Sequence, residues 1–359
     1  MELGATVPCV EVLGKHPFPT DTHMHMHVPS LAVPCAAATA AAWFARAAGA
    51  GHAKAQLRLG DCYERGAGVP QDARAAAEWF ARAAACGLPD ALFRLGRCYM
   101  EGLGVEQDAS HAVALCARAA EAGHAKAQFT LGLCHYLGEG TPLDVVQAAA
   151  CFEQAAASGL PAAQLHLGMC RAAGTGVARD AAIAAELYRL SAEGGSTEAA
   201  ARIGACLLRG DGVPVDARAA VRWLEKAAES GHAAALCDLG LCHERGTGVV
   251  QDASKAVELY LRAAKLGFPR AQASLAFCFH AGTGVEANEA QAAALFELAA
   301  EAGYVEAQCN YGLCLLAGAG VPADEARGLE WLRRAAASGH AGAADVLEQR
   351  CSSTSDSLC

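Results

Sequence analysis

A repeat of 36 residues is the feature that most constrains the fold of this chain. A small residue at the position of Gly60, inside the motif Leu59-Gly60-Asp61-Cys62, returns every 36 residues without an insertion. Its equivalents are Gly96, Gly132, Gly168, Gly204, Gly240, Ala276 and Gly312. Self-similarity at a period of about 20 to 50 residues is the signature of stacked supersecondary units. The sequence therefore predicts one continuous array of eight repeats rather than a domain with a single conventional core.

Each repeat contains the signals for two helices. Gly66 and Gly68 form a Gly-x-Gly pair that is present in all eight repeats, and such glycines end helices. Asp72 stands where the next helix should begin, and its equivalents are Asp except for Asn288. Asn caps a helix as well as Asp does but cannot replace a catalytic or metal-binding carboxylate, so this column is predicted to be structural. The second helix should then end at Gly87.

The anchor glycine needs a separate explanation because it lies in the middle of the first helix. Glycine there costs about 1 kcal/mol relative to alanine. Since Ala276 fills the same position in one repeat, the requirement is for a small side chain and not for a positive φ angle. We expect the second helix to approach closely at this point.

The pattern from Ala55 to Gly68, continued by Val69, Asp72, Ala76, Trp79, Ala83, Ala84 and Gly87, resembles the Sel-one-like repeat, a relative of the tetratricopeptide repeat. The resemblance covers residues 35 to about 350. It implies an all-α fold, a right-handed superhelical α-solenoid of antiparallel helix pairs whose first helices line the concave face. Relatives of this kind are mostly adaptors that assemble complexes, and some are secreted, cysteine-rich bacterial proteins associated with β-lactam binding.

The ends of the array are predicted to be half-repeats. Residues 35–51 reproduce a second helix, residues 52–339 form the eight repeats, and residues 340–350 form a capping helix. Residues 1–34, rich in Pro and His, and residues 351–359, rich in Ser, lack the periodicity. We expect both outer segments to be disordered.

Charge and hydropathy exclude several partners. The chain has 28 Lys and Arg against 38 Asp and Glu, and its basic residues do not cluster on any predicted helix. Binding to nucleic acid or to anionic lipid is therefore not expected. An apolar run long enough to cross a membrane and a secretory signal are both missing from the sequence as read, which favours a cytoplasmic protein with reduced thiols.

The 17 cysteines invite a disulfide or metal interpretation. Eight of them fill one column, from Cys62 to Cys314, two residues after each anchor. Equivalent residues of stacked helices lie about 10 Å apart, too far for a disulfide, so this column is predicted to consist of buried apolar fillers. The secreted relatives pair two cysteines within each repeat, and this chain lacks a second regular column.

The histidines are interpreted in the same way. His23, His25 and His27 alternate and could bind a transition metal in an extended chain, although incidental histidines in a tail are the favoured interpretation. His52, His124, His232 and His340 follow repeat-final glycines and are predicted to be joint residues. No cofactor or metal is expected.

A candidate partner-binding surface follows from the helical wheel of the first helix. The column through residue 61 faces away from Cys62 and Tyr63, beginning charged at Asp61 and Arg97 and then becoming largely apolar. With a neighbouring column it gives the predicted groove residues Leu133, Tyr136, Met169, Leu241, Phe277 and Leu313. The alternative is that tight superhelical winding buries this column between adjacent first helices.

The sequence thus predicts a non-catalytic scaffold or adaptor that holds a peptide or helix of a partner protein in its concave groove. One alternative is a secreted cysteine-rich protein that binds or hydrolyses a β-lactam. The other is a structural module that self-associates end to end. The sequence identifies neither the partner nor the oligomeric state.

Overall fold

The computed structural model describes the backbone of residues 33–356 and the side chains of residues 36–350. Within these limits every regular element is an α-helix, as predicted. The segment 1–32, with its three alternating histidines, and residues 357–359 lie outside the described residues.

The chain divides into two compact units, Met1–Gly195 and Ser196–Cys359. The first contains α1 Val33–Gly49, α2 Ala53–Arg65, α3 Ala73–Ala85, α4 Pro89–Glu101, α5 Ala109–Glu121, α6 Ala125–Leu137, α7 Val145–Ala157, α8 Pro161–Ala173 and α9 Ala181–Glu193. The second contains α10 Thr197–Arg209, α11 Ala217–Glu229, α12 Ala233–Arg245, α13 Ala253–Lys265, α14 Pro269–Ala281, α15 Glu289–Glu301, α16 Val305–Ala317, α17 Glu325–Ala337 and α18 Ala341–Asp356. From α2 onwards the even-numbered helices are the first helices of the repeats.

Each first helix packs on the second helix of its own repeat, and within a unit that second helix packs on the first helix of the following repeat. This is the stacking of a solenoid, and it confirms the predicted fold class. In the second unit, first helices of neighbouring repeats also approach one another, α10 with α12 and α12 with α14. Helices α10, α12 and α14 therefore lie side by side in that unit.

The predicted caps are confirmed at every second helix from α3 to α17. An Asp72 carboxylate oxygen accepts a hydrogen bond from the Ala75 amide at 3.0 Å. Asn288 makes the equivalent contact with the Gln291 amide, also at 3.0 Å. Asp and Asn therefore make the same capping hydrogen bond at this position, as expected of a structural cap.

The anchor glycines are sites of close helix approach, as predicted. A Cβ atom at Gly60 would lie 2.5 Å from the Phe80 ring, and one at Gly240 would lie 2.6 Å from the Tyr260 ring. Neither glycine has a positive φ angle. Space, and not backbone conformation, therefore requires a small residue at this position.

Within each unit, the second glycine of a Gly-x-Gly pair also has a role between neighbouring repeats. A Cβ atom at Gly104 would lie 2.2 Å from the carbonyl oxygen of Ala73, which begins the second helix of the preceding repeat. Gly284 has the same relation to Ala253, at 2.3 Å. The bare glycine lets the loop rest directly on backbone, which fixes the distance between neighbouring repeats.

Both ends of the array are formed by single helices. Helix α1 acts as a second helix, because a Cβ atom at Gly68 would lie 2.2 Å from the carbonyl oxygen of Ala37. Helix α18 packs Val346 and Leu347 on the buried Leu332. It runs to Asp356, so the predicted end of the capping helix at Arg350 is corrected. Residues 351–356 contain neither Pro nor Gly, and a helix already begun can continue through them.

The column cysteines face the core in most repeats. Six are buried and two, Cys62 and Cys314, are half-buried, and none of these eight cysteines forms a disulfide. Burial raises the pKa of Cys134 to about 12 and that of Cys98 to about 11. Such thiols are poor nucleophiles, consistent with the predicted packing role.

Candidate functional site

The predicted groove residues fall into two groups. Leu133, Met169 and Tyr136, in the first unit, are buried with exposed fractions of 4%, 6% and 8%. Their predicted solvent exposure is wrong. Phe277 and Leu313, in the second unit, are 47% and 38% exposed, and Leu241 is half-buried. The two alternatives left open by the helical wheel therefore each hold in one part of the chain.

Neighbouring helices explain the burial in the first unit. Leu133 and Tyr136 belong to a cluster built around Phe129 and Phe152. The ring of His166, on the next first helix, lies 5.2 Å from the Phe129 ring and 5.4 Å from the Phe152 ring. The helical wheel of a single helix identifies the side facing away from its own partner but not the cover supplied by the next repeat.

The charged start of the column forms ion pairs at its partly buried positions. Arg94 lies 3.7 Å from Asp61 and 3.4 Å from Glu64, and Arg97 lies 3.5 Å from Glu101. The Asp61 and Arg97 side chains are only 15% and 20% exposed. This network explains how charged residues occupy a partly covered column.

A pocket of about 320 Å³ lies between α12 and α14 in the second unit. Its lining combines two predicted groove residues with polar neighbours: Leu241, Glu244, Arg245, Ser274, Phe277, Cys278, His280, Ala281 and Thr283. Leu241 and Phe277 supply apolar walls. The small Ser274 lies on α14, the next first helix after that of Leu241. The pocket is large enough for one bulky apolar side chain.

The aromatic wall of the pocket, Phe277, packs on the core of its own repeat. The Phe277 ring meets the ring of Phe296 on α15 edge to face, with centroids 5.0 Å apart. Phe296 is 3% exposed and belongs to the core of its repeat. Phe277 is thus fixed in orientation while almost half of it remains accessible.

Polar groups at the rim differ in how they are satisfied. The buried Tyr260 hydroxyl donates to a Glu244 carboxylate oxygen at 2.6 Å, and burial together with this contact raises the pKa of Tyr260. His280 lies 3.0 Å from Glu289. Arg245 is exposed and makes no ion pair or hydrogen bond with the residues that the structure describes. Arg245 is therefore the rim side chain without a partner in the described residues, and Glu244, which is held by a neutral hydroxyl, keeps its negative charge beside it.

A second pocket, of about 210 Å³, lies in the first unit and was missed at the sequence level. It is lined by Leu57, Arg58, Asp61, Asp90, Phe93, Arg94, His124 and Lys126. Many of its charges form internal pairs, including Arg58 with Asp61 at 3.5 Å. The available signal was the spacing of opposite charges on successive first helices, such as Asp61 and Arg94.

Two of the predicted joint histidines fasten adjacent repeats. His124 Nδ1 accepts a hydrogen bond from the Ala127 amide at 3.0 Å, while its Nε2 atom lies 3.0 Å from Asp90 in the preceding repeat. His232 makes the same pair of contacts, with Ala235 at 3.2 Å and Glu198 at 2.7 Å. Burial lowers the pKa of His124, although Asp90 opposes that shift. The neutral ring serves both contacts at once.

The described part of the chain has neither a metal-binding cluster nor a membrane-spanning helix. Among residues 36–350, whose side chains the structure describes, no group of three or more His, Cys, Asp and Glu is placed to hold a metal ion. No helix in that range has the length and apolar character to span a bilayer.

Comparison with known proteins places this geometry in context. The model of the family described as Sel1 repeat matches residues 53–88, 89–124, 125–160, 161–196, 197–232, 233–268, 269–304 and 305–340. These bounds differ by one residue from the predicted repeats. Among curated proteins no sequence matches the chain significantly.

Two crystal structures are similar over most of the chain. One is a protective antigen of uropathogenic Escherichia coli strains with an SLR fold, at 31% identity and a TM-score of 0.73, covering 84% of this chain and 65% of that one. The other is a Sel1 repeat protein from Oxalobacter formigenes, at 29% identity and a TM-score of 0.63, covering 92% of this chain and 97% of that one. This chain therefore spans slightly less than two thirds of the antigen's length.

Proposed function

The chain belongs to the Sel1 repeat family, whose members generally act as scaffolds for protein-protein interaction, and from that premise we propose that it is a non-catalytic scaffold for one partner protein. A segment of the partner lies along the first helices of the second unit. One of its apolar side chains enters the pocket between α12 and α14.

The observation that carries the proposal is a series of accessible apolar side chains on three successive first helices. Leu241, Phe277 and Leu313 occupy equivalent positions on α12, α14 and α16. A row of accessible apolar residues is more informative than a single one, because isolated exposed residues are normal on any surface. Packed helices lie about 10 Å apart, so an extended peptide would advance by roughly three residues per repeat along this row.

The rim chemistry fits recognition better than catalysis. Glu244 and His280 are engaged with Tyr260 and Glu289. Such contacts hold side chains in place and supply fixed polar neighbours for a bound segment. A pocket with apolar walls and a few oriented polar groups is the usual architecture of a binding site.

We also propose that the protein functions in a reducing compartment such as the cytoplasm. The column cysteines on the first helices form no disulfides and are mostly buried. Their burial supports a packing role that needs no oxidation.

The test of the scaffold proposal is affinity purification from an extract of the source cells under reducing conditions, using wild-type protein, Phe277→Asp and Leu298→Asp. Leu298 is 52% exposed on the second helix α15, so its variant matches Phe277→Asp in charge and in exposed apolar area. We expect the same partner with wild type and with Leu298→Asp, and its loss with Phe277→Asp. Thermal unfolding followed by circular dichroism verifies that each variant is folded.

Two outcomes would contradict the proposal. A partner that binds folded Phe277→Asp as tightly as wild type would show that the row of apolar residues is not the binding surface. A partner lost from both variants would indicate a surface that includes the second helices.

A further inference from the structure

We infer that the pocket between α12 and α14 selects a segment in which a bulky apolar side chain is flanked by a carboxylate, because Arg245 is an unpaired cation at the rim of an apolar pocket. This inference rests on the proposed function. It adds the chemistry of the partner, which the family resemblance does not supply.

The apolar walls of the pocket determine the apolar part of the ligand. The pocket of about 320 Å³ opens between Leu241 and Phe277, and the Phe277 ring is held by Phe296 at 5.0 Å. A preorganised aromatic wall favours a leucine or phenylalanine side chain, because the wall itself loses little conformational entropy when the ligand binds. Ser274 and Thr283 add hydroxyl groups that can bond to the backbone of the incoming segment.

The charged groups at the rim of the pocket determine the charge of the ligand. Glu244 is the other charged residue next to the apolar walls, and its carboxylate accepts the Tyr260 hydroxyl at 2.6 Å. His280 is directed to Glu289, at 3.0 Å. Arg245 alone among these rim groups has no partner in the described residues, and a guanidinium binds a carboxylate through paired hydrogen bonds.

The equivalent position in the preceding repeat shows what compensation looks like. Arg209 also ends a first helix, but it lies 2.6 Å from Asp211 in the loop that follows. The residue corresponding to Asp211 after Arg245 is Thr247, which carries no charge. The cation is therefore left for a ligand in the repeat that also has the apolar pocket.

The pocket in the first unit provides the contrast. It too contains arginines, but Arg58 pairs with Asp61 at 3.5 Å and Arg94 pairs with Glu64 at 3.4 Å. Charges satisfied within the protein offer little additional attraction to a ligand. The combination of apolar walls and an unpaired cation is found in the pocket of the second unit.

The test uses fluorescein-labelled peptides of about ten residues with one central leucine or phenylalanine in an alanine and serine background. In half of the set the flanking residues are aspartate and in the other half they are lysine. Fluorescence anisotropy measures binding to wild type, Arg245→Glu, Arg222→Glu and Phe277→Asp. Arg222→Glu is the matched control, because Arg222 is exposed on the second helix α11 and the change in net charge is identical.

We expect wild type and Arg222→Glu to prefer the aspartate peptides by about two- to fivefold, the range of an exposed ion pair. Arg245→Glu should reverse the preference. High salt should reduce it, because exposed charges are screened. Phe277→Asp should bind neither half of the set.

The failures are distinguishable. If peptides bind and Phe277→Asp abolishes binding, but the flanking charge has no effect or lysine is preferred by wild type, the inference about chemistry is overturned while the scaffold proposal stands. If no peptide binds at about millimolar concentration, the pocket is not a peptide site and both are overturned.

Discussion

Replacing Gly240 by alanine tests the packing that shapes the candidate pocket. Gly240 faces Tyr260, and Tyr260 in turn holds Glu244 at the pocket rim. An added methyl group would lie 2.6 Å from a ring carbon of Tyr260, a distance that forces the ring or the helix to move. The substitution therefore perturbs the contact between the helices and the support of the rim together.

The expected magnitude is a balance of two effects. Overfilling a packed core costs about 1 to 3 kcal/mol. Replacing glycine by alanine within a helix returns about 1 kcal/mol. We expect Gly240→Ala to lower the free energy of unfolding by about 1 kcal/mol. The second effect can be measured separately with Ala114→Gly, since Ala114 is exposed within α5 and its replacement changes little besides helix propensity.

Urea unfolding followed by circular dichroism gives the measurement, with the peptide anisotropy assay as a second readout. Gly240→Ala should bind peptide more weakly because the Tyr260 ring and Glu244 shift together. The reasoning is refuted if Gly240→Ala is more stable than wild type by about the amount that Ala114→Gly loses. Helix propensity alone would then govern the position, and the close approach would be irrelevant.

Three further outcomes are expected. Native thiol labelling should modify the exposed Cys86 quickly. It should modify Cys134 slowly, because burial raises the pKa of that thiol to about 12. Equal labelling rates would contradict the burial of Cys134. Because the folded pKa of His124 is lowered, its stabilising effect should be present above the unfolded value of about 6.5 and fall as the pH drops below it. His124→Asn, which retains a cap, should weaken that dependence in urea titrations, and an unchanged dependence would assign it elsewhere. Ser274→His should fill the pocket beside Leu241 and abolish peptide binding without loss of stability, and retained binding would place the peptide elsewhere.

The regular part of the fold could be predicted from the sequence because it repeats. The exchange of Asp for Asn at position 288 identified a cap, and the exchange of Gly for Ala at position 276 identified a close contact. Both deductions compare residues that share an environment, so a single departure shows which property is required. Helix α18 does not have that support beyond Arg350, and its extent was underestimated.

The candidate site was only half predictable for a physical reason. The helical wheel identified Leu241, Phe277 and Leu313 as pointing away from their partner helices. It gave the same answer for Leu133 and Met169, which are buried. The difference comes from the following repeat, and a pattern read within one helix contains no information about that contact.

On two first helices, α2 and α6, a residue that stands 33 positions later in the sequence contacts the column or its cluster. Arg94 stands at this distance from Asp61 and pairs with it at 3.7 Å, while His166 stands at this distance from Leu133 and packs on the same aromatic cluster. Ser274 stands at this distance from Leu241, and there a pocket opens. At these three positions the charged Arg94 and the large His166 lie beside the column, whereas the small Ser274 leaves space. Leu313 is 38% exposed although Val346 stands 33 positions after it, so other contacts also determine accessibility. Accessibility along the first helices therefore depends on residues of the neighbouring repeat, which is why we expect Ser274→His to close the pocket beside Leu241 while the repeat itself is unchanged.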